Sequence, residues 1–217
     1  MFLGRGMSQD RADLGAGIGR RVGRSRLLAV GLAVAVQLIT VGCGGSAPQD
    51  GGFQFTGATS AGEVIAAAQR SAAPAFAGEL LDGAAFDSTE LAGNLAVINF
   101  WGSWCPPCRV ESPEFQQVYS QLQNQGVQFL GVDVKDQRQL AQAFTDSAGV
   151  QYPSLFDPAG EVAVAFRGLP TNAVPSTIVL DARGRVAAVY TGAVAQQDLT
   201  TALTALLDEQ PADGGTP

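Results

Sequence analysis

Two apolar runs and the stretch between them leave this chain few ways to fold. "LAVINFW", residues 95–101, is apolar almost throughout, as expected of a strand buried on both faces. "VQFLGVDV", residues 127–134, predicts the next strand. Between them, from about Pro106 to Gln123, Val110, Phe115, Val118, Tyr119 and Leu122 recur at helical spacing, with Pro113 expected to kink the helix. Two buried strands joined by a helix make a parallel pair with a crossover. Residues 137–148 read as a second helix with Leu140, Ala143 and Phe144 on one face. "STIVLDARGRVAAVY" predicts a hairpin, with strands 177–180 and 185–190 about a turn from Asp181 to Gly184. "QQDLTTALTALLDE" closes the domain as a helix with Leu199, Leu203, Leu206 and Leu207 inward. Upstream, apolar runs flank Asp82-Gly83 in "GELLDGAAFD", which signals another hairpin. The expected class is α/β, with a mixed central sheet, helices on both sides and an N-terminal hairpin extension.

Charge divides the chain. Six arginines and two acids precede Cys43, a net +4, whereas the whole chain carries −7. The remainder is therefore strongly acidic and unsuited to binding nucleic acid, which requires basic surface. Arg20, Arg21, Arg24 and Arg26 precede the apolar run "LLAVGLAVAVQLITV". That run is short for a membrane-spanning helix and suits the core of a signal peptide. It ends at Gly42-Cys43, a pattern that resembles a bacterial lipoprotein signal with lipid on Cys43, although Thr40 stands where a larger apolar residue is usual. An uncleaved anchor is the other reading. Both hold the protein at the cell membrane with its bulk outside the cytoplasm, where disulfides persist. The expected organisation is a targeting segment at 1–42, a lipid-anchored flexible tether at 43–74, a folded domain at 75–209 and a loose tail at 210–217. Within the tether, "AGEVIAAAQRSAAP" could form a short helix closed by Pro74.

The chain has three cysteines and no histidine. The missing histidine excludes Ser-His-Asp and Cys-His catalysis and every histidine metal site. Cys105 and Cys108 form one Cys-x-x-Cys pair within "WGSWCPPCRVESP". A structural zinc site needs four ligands, and a second pair is absent. As a staple the pair closes too small a loop to restrain the unfolded chain. Redox exchange explains its place at the start of a helix. There the unpaired N–H groups and the helix dipole favour a Cys105 thiolate, the attacking species in exchange. Cys108, deeper in the helix, would resolve the mixed disulfide. Pro106 and Pro107 suit the first helical positions, where no N–H is needed.

"VINFWGSWCPPCRVESP", with "FLGVDV" and "VPSTIVLDARGRV", resembles the thioredoxin superfamily over about residues 75–208. The specific likeness is to its extracytoplasmic TlpA/ResA-like thiol-disulfide oxidoreductases. The resemblance implies a thioredoxin-like fold, Cys105 as nucleophile, Cys108 as resolving thiol and Trp104 as the family aromatic. It implies a cis-proline at Pro175 facing the cysteines, its backbone pairing with an incoming peptide like an added strand. Pro170 is a rival placed too far from the following strand. The buried acid of cytoplasmic thioredoxin aligns with Asn99, which cannot take a proton. Glu111 matches an acid of ResA-like proteins and would relay protons to Cys108. Arg109 reads as a surface charge with a weak claim to steering partners.

No histidine lies between the cysteines, as it does in strong oxidants of this superfamily. The resemblance therefore implies a protein-disulfide reductase, needing no cofactor beyond its cysteine pair and re-reduced by a membrane thiol-disulfide donor. Its implied substrate is the haem-site disulfide of apocytochrome c, in cytochrome c maturation. The alternatives are a general or oxidising extracytoplasmic exchanger with the same site, and a non-enzymatic lipoprotein binding module.

Overall fold

The computed structural model describes residues 62, 64–166, 168 and 173–209. The targeting segment, Cys43, most of the tether, Pro170 and the tail after Glu209 lie outside the described residues. Among the described residues no helix is long and apolar enough to cross a membrane.

A five-stranded sheet forms the centre, with β3 (Leu95–Trp101) in its middle and buried at every position. The crossover helix α1 (Pro106–Leu122) returns the chain to β4 (Val127–Val134), which pairs parallel to β3 as the two apolar runs predict. Helix α2 (Arg138–Ala148) then leads to β5 (Ser154–Asp157), parallel to β4 at one side. After a short helix α3 (Glu161–Ala165), the hairpin of β6 (Ser176–Leu180) and β7 (Val186–Thr191) completes the sheet. β6 pairs antiparallel to β3, giving the order β5-β4-β3-β6-β7, and α4 (Gln196–Asp208) follows. The upstream hairpin is a separate two-stranded sheet, β1 (Ala77–Glu79) with β2 (Ala85–Asp87).

The period of two along each strand sends alternate residues to two cores. On one face Leu95, Val97, Val127 and Phe129 meet Phe115 and Val118 of α1 and Leu199, Leu203 and Leu206 of α4. On the other, Ile98, Phe100, Leu130 and Val132 meet Phe76, Phe86, Leu91, Val162 and Phe166. A smaller cluster of Trp101, Cys105, Cys108, Ala141 and Phe144 occupies the end of β3 where α1 begins.

The folded domain starts earlier than residue 75. Within the expected tether, Ile65 donates its N–H to Ala187 O, Val186 donates to Ser71 O, and Ala73 donates to Gly184 O. Arg70 is buried, donates from Nε to Ile65 O, and pairs with Asp181 and Glu209. The expected short helix is a single 3-10 turn, Ala67–Gln69. Three residues expected on the apolar faces, Val110, Leu140 and Ala143, are exposed. α2 instead buries Ala141, Phe144 and Thr145.

Candidate active site

β3 delivers the chain to the site through the turn Gly102-Ser103-Trp104. Gly102 is required there by a close approach: a Cβ would lie 2.6 Å from Trp104 Nε1. Trp104 is 52% exposed, yet its indole is fixed, because Nε1 donates to Val134 O at 3.2 Å. Cys105 caps α1. Its N–H donates to Gly102 O at 3.0 Å, and its Sγ accepts the N–H of Cys108 at 3.3 Å. Pro106 and Pro107 occupy the first two helical positions and bring no N–H, so Cys108 supplies the first helical donor, and it is aimed at Cys105 sulfur. The two cysteines are joined by a disulfide with Cα atoms 5.3 Å apart, and both are buried. Charge arriving on Cys105 when that bond is reduced would meet a directed N–H and the helix dipole.

Glu111, one turn beyond Cys108, is 2% exposed. Its Oε1 accepts the N–H of Val194 at 2.8 Å and its Oε2 accepts Asn99 Nδ2 at 3.0 Å. Asn99 Nδ2 also donates to Thr177 Oγ1 at 3.1 Å across the β3–β6 pair. Burial raises Glu111 to about 7, against the lowering effect of the Val194 and Asn99 donors, with Glu114 adding to the rise. Asn99, incapable of holding a proton itself, is thus a fixed donor that orients the carboxyl which can. Sequence reasoning missed this role, as it missed Thr177 and Val194. Only the pairing of β3 with β6 and the return of the chain before α4 bring those two within reach.

Pro175 stands immediately before β6, and the Val174–Pro175 peptide is cis. Proline has no N–H, and Pro175 O already accepts the N–H of Gly192 at 2.9 Å. Val174 packs against the cluster holding Cys105 and Cys108, and its backbone has no partner among the described residues. Arg109 is an exposed charge held beside the site: Nε donates to Ser103 O at 3.0 Å and the guanidinium lies 5.5 Å from the Phe144 ring centroid. Among the described residues no group of three or more His, Cys, Asp or Glu side chains is placed to hold a metal ion.

The model of the AhpC/TSA family matches residues 70–189, more than half of the chain. The chain belongs to the AhpC/TSA family. Within the family it is similar to the thiol-disulfide oxidoreductase ResA of Geobacillus thermodenitrificans, 32% identical over 137 residues, covering 63% of this chain and 77% of the relative. ResA of Bacillus subtilis is also 32% identical, over 126 residues, covering 58% of this chain and 69% of that protein. The crystal structure of a secreted thiol-disulfide isomerase from Corynebacterium glutamicum superimposes with a TM-score of 0.68 at 34% identity, covering 72% of this chain and 98% of that one. The fold is thioredoxin-like, and the protein is a thiol-disulfide oxidoreductase of this family.

Proposed function

We propose that the protein is a membrane-tethered, extracytoplasmic reductase of protein disulfides, exchanging through Cys105 and Cys108. The observation that carries this reading is the capped pair itself: Cys108 N–H is aimed at Cys105 Sγ at the head of α1, and an ionisable carboxyl is buried one turn on. In the dithiol form, the Cys105 thiolate attacks one sulfur of a substrate disulfide. The substrate S–S bond breaks, a Cys105–substrate bond forms, and the departing thiolate takes a proton from solvent. Glu111, as carboxylate, accepts the proton of the Cys108 thiol. The Cys108 thiolate attacks Cys105 Sγ, leaving the Cys105–Cys108 disulfide and releasing the second substrate sulfur as a thiolate, which takes up a proton as Glu111 gives up the one it holds. Two electrons and two protons reach the substrate. A membrane thiol-disulfide donor restores the dithiol. Trp104, Pro106, Pro107 and Val174 shape the surface against which the substrate chain lies, with Pro175 holding Val174 in place. The redox group is the cysteine pair, with no added cofactor.

The targeting segment and Cys43 support a lipid anchor, and cytochrome c maturation, with apocytochrome c as the protein disulfide substrate, is the pathway we assign. Trapping on Cys108→Ala, which cannot resolve the mixed disulfide, tests the assignment. Recovery of apocytochrome c bound to Cys105 supports it, and recovery of a broad set of secreted proteins replaces it with general disulfide exchange. That second reading draws on the solved relative described as a secreted isomerase. The direction of electron flow is tested by equilibration with glutathione: a potential near about −120 mV, the range of strong oxidants, would overturn the reductase.

A further inference from the structure

Asp133 lies near the end of β4, opposite Trp101 of β3 and Phe156 of β5. It is 0% exposed, and neither of its carboxyl oxygens receives a donor from the described residues. A buried carboxylate without donors is among the costliest groups a fold can hold. The nearby cation gives it no hydrogen bond: Arg138 directs its guanidinium to Leu80 O, Leu81 O and Glu79. The side chain within hydrogen-bonding reach is another carboxyl, Asp136. Two carboxyl groups bond to each other only with a proton between them.

Asp136 has a position of its own in the site. Its Oδ2 accepts the N–H of Ser103 at 2.6 Å and its Oδ1 accepts the N–H of Gln137 at 2.7 Å. Ser103 belongs to the turn that leads into Cys105. Its N–H is held by an acid, Asp136, and its C=O by a base, Arg109. Cys105 N–H in turn bonds to Gly102 O, so displacement of Ser103 reaches the backbone that carries the sulfur.

We propose that Asp133 and Asp136 hold one proton between them, and that this acid pair is the positioning element that fixes Ser103 and, through the Gly102–Cys105 turn, the sulfur of Cys105. The proton resides on Asp133, whose O–H donates to the Asp136 carboxylate. Asp136 keeps its charge and so holds Ser103 strongly. The electrostatics agree. Burial and the Asp136 carboxylate push Asp133 up to about 8, with Asp157 adding to the rise and Arg138 opposing it. Burial works against ionisation of Asp136 too, but bonds from Ser103, Gln137 and Asp133 outweigh it and hold the group below its ordinary value. Lys135 adjoins the pair along the chain, Arg109 of α1 shares Ser103 with Asp136, and Trp101 of β3, opposite Asp133, does not titrate. Loss of the shared proton sets two like charges in contact, and the turn before Cys105 loosens.

The experiment follows the Ser103 amide by NMR in the oxidised protein, where neither cysteine titrates, from about pH 5 to about pH 10. The wild type should show a step above neutral pH. Glu111→Gln should retain that step. Asp133→Asn should lose it, because the amide donates to Asp136 at every pH. A flat profile in the wild type, or an unchanged step in Asp133→Asn, overturns the proposal. Carboxyl 13C titration of the unmutated protein needs no variant: one of the two aspartates should ionise in acid and the other only above neutral, and both ionising in the ordinary acidic range overturns it. These readouts are independent of the proposed exchange chemistry. The consequence for that chemistry rests on Cys105 being the attacking thiol: its alkylation rate per thiolate should fall across the same step in the wild type and stay level in Asp133→Asn.

Discussion

Glu111→Gln keeps the shape of a buried side chain and removes its ability to ionise. Burial lifts Glu111 from 4.5 to about 7, against two N–H donors that favour the carboxylate. A carboxyl whose value is raised on folding binds its proton more tightly in the native state. Stability from this group is therefore full below 4.5 and is lost as pH rises through the window up to about 7. At ~1.4 kcal/mol per pKa unit, the loss across the whole window is about 3 kcal/mol. Denaturant unfolding of the oxidised protein, repeated across that window, should show the wild type losing about this much relative to Glu111→Gln, since the cysteines are silent and other groups cancel in the difference. The same ionisation should appear in catalysis. In single-turnover reduction of a disulfide peptide, release of the second thiol should accelerate through a midpoint near 7 in the wild type. In Glu111→Gln that inflection should vanish and the step should slow by roughly 100-fold, an ordinary loss for a general base. A stability difference independent of pH, together with an inflection retained in the variant, would refute the reasoning and leave Glu111 a packing residue.

Cys105→Ser should abolish reduction of insulin disulfides and trap no partner, whereas Cys108→Ala should lose turnover but accumulate mixed disulfides visible on non-reducing gels. Equal activity in both variants and the wild type would instead favour a binding module. Gly102→Ala places a methyl group 2.6 Å from Trp104 Nε1, so the indole must leave Val134 O. A stability loss of about 1–3 kcal/mol is expected, with a blue-to-red change in Trp fluorescence as the ring gains solvent. Cys43→Ala should release the protein from the membrane fraction and abolish its labelling by a fatty-acid probe, without altering exchange by the isolated domain. Retention at the membrane would favour an uncleaved anchor.

The parts of this molecule legible in its sequence are those decided by local pattern. β3 and β4 announce themselves because strands buried on both faces need unbroken apolar runs, and the Cys-x-x-Cys at a helix start carries its chemistry in its spacing. Helical periodicity marks a buried face less sharply. Val110 and Leu140 have the right composition and the wrong azimuth, and both are exposed. β5 and α3 were not read at all, because four and five residues are too few to show a period. Residues 64–74 look like linker by composition, yet backbone bonding and the buried guanidinium of Arg70, neither visible in composition, make them part of the domain. In the site, Glu111 is singled out by the family resemblance, and its offset of one helical turn puts it on the face of Cys108. Its partners Asn99 of β3 and Val194 of the loop before α4, and Thr177 of β6 which Asn99 bonds in turn, are connected by no spacing along the chain.

The stretch from Ile65 to Ala73 bonds to the side of β7 away from β6, while Leu81 N–H reaches Ser154 O of β5 on the opposite side of the sheet. Both outermost strands are thus occupied by chain that precedes the central fold. Open strands of this kind are templates for joining a second molecule. A recombinant protein begun at Ala75, where composition alone would place the boundary, would keep both cysteines and their helix but bare the first residues of β7, Val186 and Ala187. It should self-associate through that strand, and light scattering would show a concentration-dependent increase in mass that a protein begun before Gly62 does not. What looks like linker by composition thus also covers the outer strand against pairing sheet to sheet.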